Sequence, residues 1–132
     1  MYLKTNLHRM NCYCGSGLQY ANCCQPYHLK ISNAPTAEAL MRSRYSAFVL
    51  ADGAYLYETT HISKRKGNSK DSYTKSAKNT KWVKLEIVAS EFDKVEFKAF
   101  YLNHKFQTEV LHEKSNFKFE NGKWYYVDGK FY

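Results

Sequence analysis

The sequence predicts an α+β chain, with a small N-terminal cysteine knuckle followed by helices packed on an antiparallel sheet. Three observations predict it. Four cysteines fall within residues 12–24. An apolar row at helical spacing follows over residues 37–49. From Trp82 the apolar period changes to two, and Asn121-Gly122 is the strongest hairpin signal in the chain.

Met1 to Asn11 carries no strong pattern. Met10 lies two residues before the first cysteine and is a candidate start, which makes residues 1–9 an extension that packs little. Cys12 to Tyr27 is the cysteine module, and Leu29 to Pro35 reads as a linker. Thr36 is then a helix N-cap with Glu38 in the first turn, where the helix dipole favours an acid. Ala37, Leu40, Met41, Tyr45, Phe48 and Val49 share one helical face. Asp52-Gly53 ends this helix, and a shorter one is expected over Ala54 to Thr60. Residues 62–80 are polar, with a short helix expected near Asp71 to Lys78. Val83, Leu85, Ile87 and Ala89 then alternate with Lys84, Glu86 and Val88. Val95, Phe97, Ala99 and Tyr101 alternate in the same way. Phe106 to Phe119 is long enough for a bent third strand, and Trp124 to Val127 starts a fourth.

The 132 residues suit one domain of ordinary size with a small appendage. Hydrophobic residues make up 44%, enough for a packed core. The aromatic share of 17% suits strands and a concave, aromatic-lined sheet. No apolar run approaches the ~18 residues of a membrane helix. The first ten residues lack the apolar core of a secretory signal, so a soluble, cytoplasmic protein is expected. The net charge of +8 is concentrated. Lys64 to Lys84 holds eight basic residues and one acid, Asp71, while the remainder is nearly balanced.

The cysteine spacing is C-x-C-x8-C-C, from Cys12 and Cys14 to Cys23 and Cys24. Four thiolates at a sulfur distance of about 2.3 Å complete the tetrahedron zinc prefers. Gly15 and Gly17 permit the tight turns that aim backbone N–H groups at the sulfurs. A disulfide within either pair is strained, and the cytosol is reducing. One structural zinc ion per chain is expected, with no open position for catalysis. His28, four residues after Cys24, is either an alternative ligand or a neighbour of the site.

At these residues the chain resembles the SEC-C zinc motif, first known from the C-terminal tail of the SecA preprotein translocase. Cys-x-Cys-Gly-Ser-Gly followed by Cys-Cys matches it. Tyr13 departs from the proline usual between the first two cysteines, which loosens a turn and removes no ligand. Three further stretches resemble the YchJ family: Ala37-Glu38-Ala39-Leu40-Met41-Arg42-Ser43-Arg44-Tyr45-Ser46-Ala47-Phe48, His112 to Phe117, and Trp124-Tyr125-Tyr126-Val127-Asp128-Gly129. The resemblance implies a zinc knuckle over 10–28 and a nuclear transport factor two-like domain over 29–132. That fold is a curved antiparallel sheet wrapped around helices, a cone with a pocket. The resemblance implies an architecture and no particular reaction.

Arg44 shares a helical row with Leu40 and Phe48 and so borders the cone. One reading pairs it with a carboxylate such as Glu109 or Asp128; the other has it bind an anionic ligand. Tyr45, Trp82, Tyr101, Glu109, Trp124 and Tyr126 are the other candidate pocket residues, although aromatics at strand spacing are more often core. His61, His104 and His112 are the candidate general bases, but no paired acid–base constellation is visible, and the balance is against an enzyme. Lys64, Arg65, Lys66 and Lys70 lead the basic segment. It is either a solvated loop or an RNA or ribosome contact, with Tyr13, Tyr20 and Tyr27 available to stack on bases.

The leading expectation is therefore a zinc-stabilised protein-interaction module, with Gln19, Tyr20 and Asn22 exposed around the metal. The alternatives are a basic-patch RNA binder and a small-molecule pocket.

Overall fold

The computed structural model describes residues 10–132; the expectation for residues 1–9 lies outside them. A 3-10 turn at Tyr20–Asn22 and a short helix α1 at Gln25–His28 form the knuckle's second half. Helices α2 (Ala37–Leu50), α3 (Gly53–Glu58) and α4 (Lys70–Lys78) follow. Strands β1 (Lys81–Ser90), β2 (Lys94–Leu102), β3 (Thr108–Glu120) and β4 (Lys123–Phe131) form one antiparallel meander in sequence order. The α+β expectation holds.

Helix α2 starts where the sequence predicts. The Thr36 side chain accepts from Ala39 N at 3.0 Å, the usual N-cap bond. It ends through Ala51 in the left-handed region (φ 57). Asp52 does not belong to that ending; it caps the next helix by accepting from Tyr55 N at 3.1 Å. Gly53 is likewise inside α3. A Cβ there would lie 2.2 Å from the Lys70 carbonyl oxygen, so glycine is what lets α3 press on α4. Ser69 and Ser72 form a reciprocal capping box for α4, beginning one residue before the predicted start.

The apolar stripe expected on α2 is too narrow. Ser43, Arg44, Ser46 and Ala47 are buried alongside Leu40, Met41 and Tyr45. The knuckle covers the side of α2 that the sheet does not, so the helix runs through the middle of the molecule. Its apolar face meets Val95, Phe97, Ala99, Phe117 and Leu56 in the main core. Burying side chains of this size is worth about 1.5–3 kcal/mol each, which makes this layer the main source of stability.

Two strands carry bulges that period-two reading does not reveal. In β1 the register jumps between Trp82 and Lys84 and again between Ile87 and Ala89. Val83 is therefore 51% exposed, while Trp82 and Leu85, three apart, share the inner face. In β4 the jump sits at Val127, between the pairs Phe117–Tyr126 and Asn116–Asp128. It brings Tyr126 and Gly129 to the face that carries Glu113 and Ser115. The irregularity on this side of the sheet is the bulge in β4, and β3 runs as one continuous strand. The Asn121-Gly122 hairpin forms as predicted, both residues having positive φ. Residues 59–61 add a short parallel bridge to β4, with His61 N donating to Tyr126 O and Tyr126 N to Thr59 O, both at 2.8 Å.

Candidate metal centre and the cavity beneath the helices

Cys12, Cys14, Cys23 and Cys24 come together because two tight turns face each other. Cys12 N donates to Leu18 O at 2.7 Å and Gly15 N to Cys12 O at 3.3 Å. Gly15 and Gly17 both have positive φ. The four Sγ atoms lie within 4.8 Å of one another. Cys14 and Cys23 are 3.5 Å apart, and Cys23 and Cys24 are 3.9 Å apart. A disulfide requires about 2.05 Å, so these are four free thiols. The edge of a zinc–sulfur tetrahedron is about 3.8 Å, which the cluster matches.

The protonation pattern tells the same story. The Cys12 and Cys24 thiols donate to Cys14 and hold it well below the usual thiol range. Cys12 is pushed up to about 11, first of all by that bond to Cys14. Cys24 is pushed up by its bonds to Cys12 and Cys14 and by burial. Four sulfurs this close repel one another as thiolates, so full ionisation calls for a cation among them. This donor set can hold a metal ion. Ser16 Oγ reaches Cys23 Sγ at 3.1 Å while accepting from Leu18 N, so the turn also supports a ligand sulfur.

His28 is not one of the donors. Its Nε2 lies 2.9 Å from the Ser43 carbonyl oxygen, which can only accept, so Nε2 carries the proton. Nδ1 then accepts from the Tyr20 hydroxyl at 2.7 Å. Both ring nitrogens are committed, and burial lowers the pKa of the imidazole and favours its neutral form. His28 instead fastens the knuckle to α2. Arg42 adds a second fastening by donating to Cys14 O at 2.7 Å and to Glu38 at 3.1 Å. The expectation that Tyr20 is exposed fails for this reason: it is 5% exposed and locked to His28. Tyr13, Leu18, Gln19 and Asn22 do face solvent.

The second site lies between α2 and the sheet. A cavity of about 300 Å³ is bounded by Arg44, Tyr45, Phe48, Trp82, Glu113 and Tyr126, among others. Four of the expected pocket residues are here: Arg44, Tyr45, Trp82 and Tyr126. Tyr101 touches the Trp82 ring but opens, with Glu109, onto a different cleft. Trp124 is core: its Nε1 donates to Pro35 O at 3.2 Å and its ring meets Phe92 and Phe119. Neither expected carboxylate partners Arg44. Glu109 accepts from Tyr101 and Asn103, and Asp128 accepts from Asn116. Glu113 is the carboxyl group that faces this cavity, and sequence reading missed it. Gly129, opposite Ser115 on the paired strand, leaves the room that the Glu113 carboxyl group fills.

The candidate bases stand elsewhere. His61 bonds Ser63 and Glu120, His112 bonds Glu96, and His104 lies exposed in the β2–β3 turn. The basic segment is partly spent on the fold. Arg65 donates to Thr60 O and Glu58 O and lies over Tyr57. Lys70 pairs with Glu58 at 3.1 Å and Lys64 with Asp128 at 3.8 Å, while Lys66 is exposed. Of the three tyrosines offered for stacking, Tyr20 is buried.

Comparison with known proteins agrees with this arrangement. Residues 11–26 match the SEC-C motif, and residues 36–129 match the family described as YchJ, middle NTF2-like domain. A UPF0225 protein from Vibrio cholerae is 38% identical over 128 residues, covering 92% of this chain and 83% of the relative. One from Deinococcus radiodurans is 40% identical over 117 residues, covering 89% and 86%. The solution structure of a SEC-C motif containing protein from Rhodopseudomonas palustris is similar, with a TM-score of 0.82 and 34% identity over 92% of this chain and 98% of that one. A crystal structure of another, from Psychrobacter arcticus, has a TM-score of 0.77 and 30% identity, covering 93% and 83%.

Proposed function

This chain belongs to the YchJ-like family, and from that premise we propose that it is a zinc-binding protein whose knuckle is a docking surface for a protein partner. The observation that carries the zinc assignment is the closure of the cluster. Four protein sulfurs within 4.8 Å of one another leave no coordination position for substrate, so the metal shapes the knuckle and does no chemistry. Free thiols in this number require a reducing compartment, which supports a cytoplasmic location. Among the described residues no helix is long and apolar enough to cross a membrane.

The docking assignment rests on what the knuckle exposes. Its inward side is consumed by His28, Tyr20 and Arg42 on α2. Its outward side presents Tyr13, Leu18, Gln19 and Asn22, with Leu18 54% exposed. An aromatic and an aliphatic side chain held out on a rigid turn, beside amides that can hydrogen-bond, suit a small protein contact.

Metal analysis of freshly prepared, reduced protein tests the first part. About one zinc per chain is expected, and none would sink the assignment. The second part is tested with Leu18→Asp, which leaves all four ligands in place. Partners captured by the native protein are expected to be lost from this variant while its zinc is retained. An unchanged partner set would rule out the knuckle as the docking surface.

A further inference from the structure

The cavity beneath the helices contains a buried cation without a full set of partners. Arg44 is 5% exposed, and only its Nη1 finds acceptors among the described residues: Leu56 O at 3.0 Å, Thr59 Oγ1 at 2.7 Å and Thr60 Oγ1 at 3.2 Å. All three are neutral, and no described carboxylate comes within 4 Å of the guanidinium. Buried charges are normally paired with charges. The Trp82 ring lines the same cavity, but its Nε1 is fully buried with no acceptor and so lies away from the open space. The unspent edge of Arg44 calls for an acceptor that the protein does not supply.

Glu113 adds an opposite demand. Its Oε2 accepts from Ser115 and from the Tyr126 hydroxyl, both at 2.8 Å, and Oε1 has no donor among the described residues. The Tyr126 ring lies 4.7 Å from the Arg44 guanidinium carbon, so cation and carboxyl group flank one phenol. Among the lining residues Arg44 is the one cation and Glu113 the one carboxyl group. The remaining wall is largely apolar and aromatic, with Tyr45 and Phe48 against the Trp82 ring and Phe97 elsewhere on the lining. A volume of about 300 Å³ is at the low end for small-molecule sites.

We infer that this cavity binds a free amino acid with an apolar side chain. Its carboxylate takes the open edge of Arg44, its ammonium faces Glu113, and its side chain lies among the aromatic rings. Charge selects this class over its neighbours. A zwitterion leaves the site as balanced as it finds it. A phosphate or dicarboxylate brings two negative charges to a cavity with one cation and a resident carboxyl group. A plain amine leaves Arg44 unanswered. The site is independent of the knuckle and of its metal.

Calorimetric titration of the full chain with L-phenylalanine and L-leucine tests the inference, with hydrocinnamate and phenethylamine as analogues lacking the ammonium and the carboxylate. At least one amino acid is expected to bind below about 10 mM, and each analogue about tenfold or more weaker than L-phenylalanine. Arg44→Lys keeps a cation beside the Leu56, Thr59 and Thr60 oxygens and removes the open guanidinium edge. A cooperative thermal transition should remain, and amino-acid binding should weaken about tenfold. Glu113→Gln keeps an acceptor for Ser115 and Tyr126, and it should erase the preference for L-phenylalanine over hydrocinnamate. No binding of either amino acid overturns the inference. So does hydrocinnamate binding as tightly as L-phenylalanine to the native chain, or native affinity in a folded Arg44→Lys protein.

Discussion

The knuckle and the sheet domain are organised on opposite principles. The domain buries Leu40, Leu56, Val95, Phe97 and Phe117 against one another, and its buried polar side chains are the minority. In the knuckle, the buried apolar cluster is Cys12, Cys14, Tyr20 and Cys24, that is, three of the four candidate ligands and one tyrosine. About sixteen residues cannot bury enough surface to offset the entropy of ordering them. The knuckle therefore depends on its sulfurs and on its attachment to α2, while the domain depends on packing. The two meet through His28, a polar link between unlike modes of stability.

The largest effect should separate the two regions outright. Chelation, or Cys24→Ser, removes a term on the order of 10 kcal/mol where zinc folds a module this small. Amide exchange is expected to rise throughout residues 12–27 while β2 and β3 stay protected. Loss of protection across the sheet as well would show that the domain needs the metal too.

Leu56→Ala reverses the comparison. Leu56 is fully buried in the core, and its truncation should cost about 2–5 kcal/mol. Chemical denaturation should show that loss with zinc stoichiometry unchanged. A parallel loss of zinc would mean that the regions unfold as one.

His28→Phe addresses the link. The ring volume is kept, but Tyr20 OH and Ser43 O lose their partner, at a cost of about 1–3 kcal/mol. The expected signature is faster zinc release to a competing chelator with a small shift of the main thermal transition. Unchanged release would place the attachment on Arg42 instead.

The smallest effect belongs to the basic segment. Lys66→Ala should change stability by less than about 0.5 kcal/mol, since Lys66 is exposed. Arg65→Ala should cost more, since Arg65 ties Thr60 O and Glu58 O. Equal melting temperatures for the two variants would break this distinction between solvated and structural cations.

What could be read in advance follows the range of the interactions. Ligand spacing, the Thr36 cap, the apolar row of α2 and the Asn121-Gly122 turn are local, each specified within a few residues, and each appears where expected. Tyr20 shows the limit: its exposure was misjudged because the partner that buries it, His28, is itself placed by Ser43 on another helix. Glu113 was overlooked because it sits at an inward position of a strand where a carboxyl group is normally excluded. Its neighbours Ser115, Tyr126 and Gly129 justify it only after β3 and β4 are paired.

The sequence by itself determined a four-sulfur knuckle followed by helices and an antiparallel meander, because metal spacing, capping and apolar period act along the chain. Only the tertiary structure decided which side chains face the cavity. The bulges at Val83 and Val127 turn Trp82 and Gly129 inward against the simple alternation. A bulge is a property of two paired strands, and one strand's sequence does not show where its partner will force it.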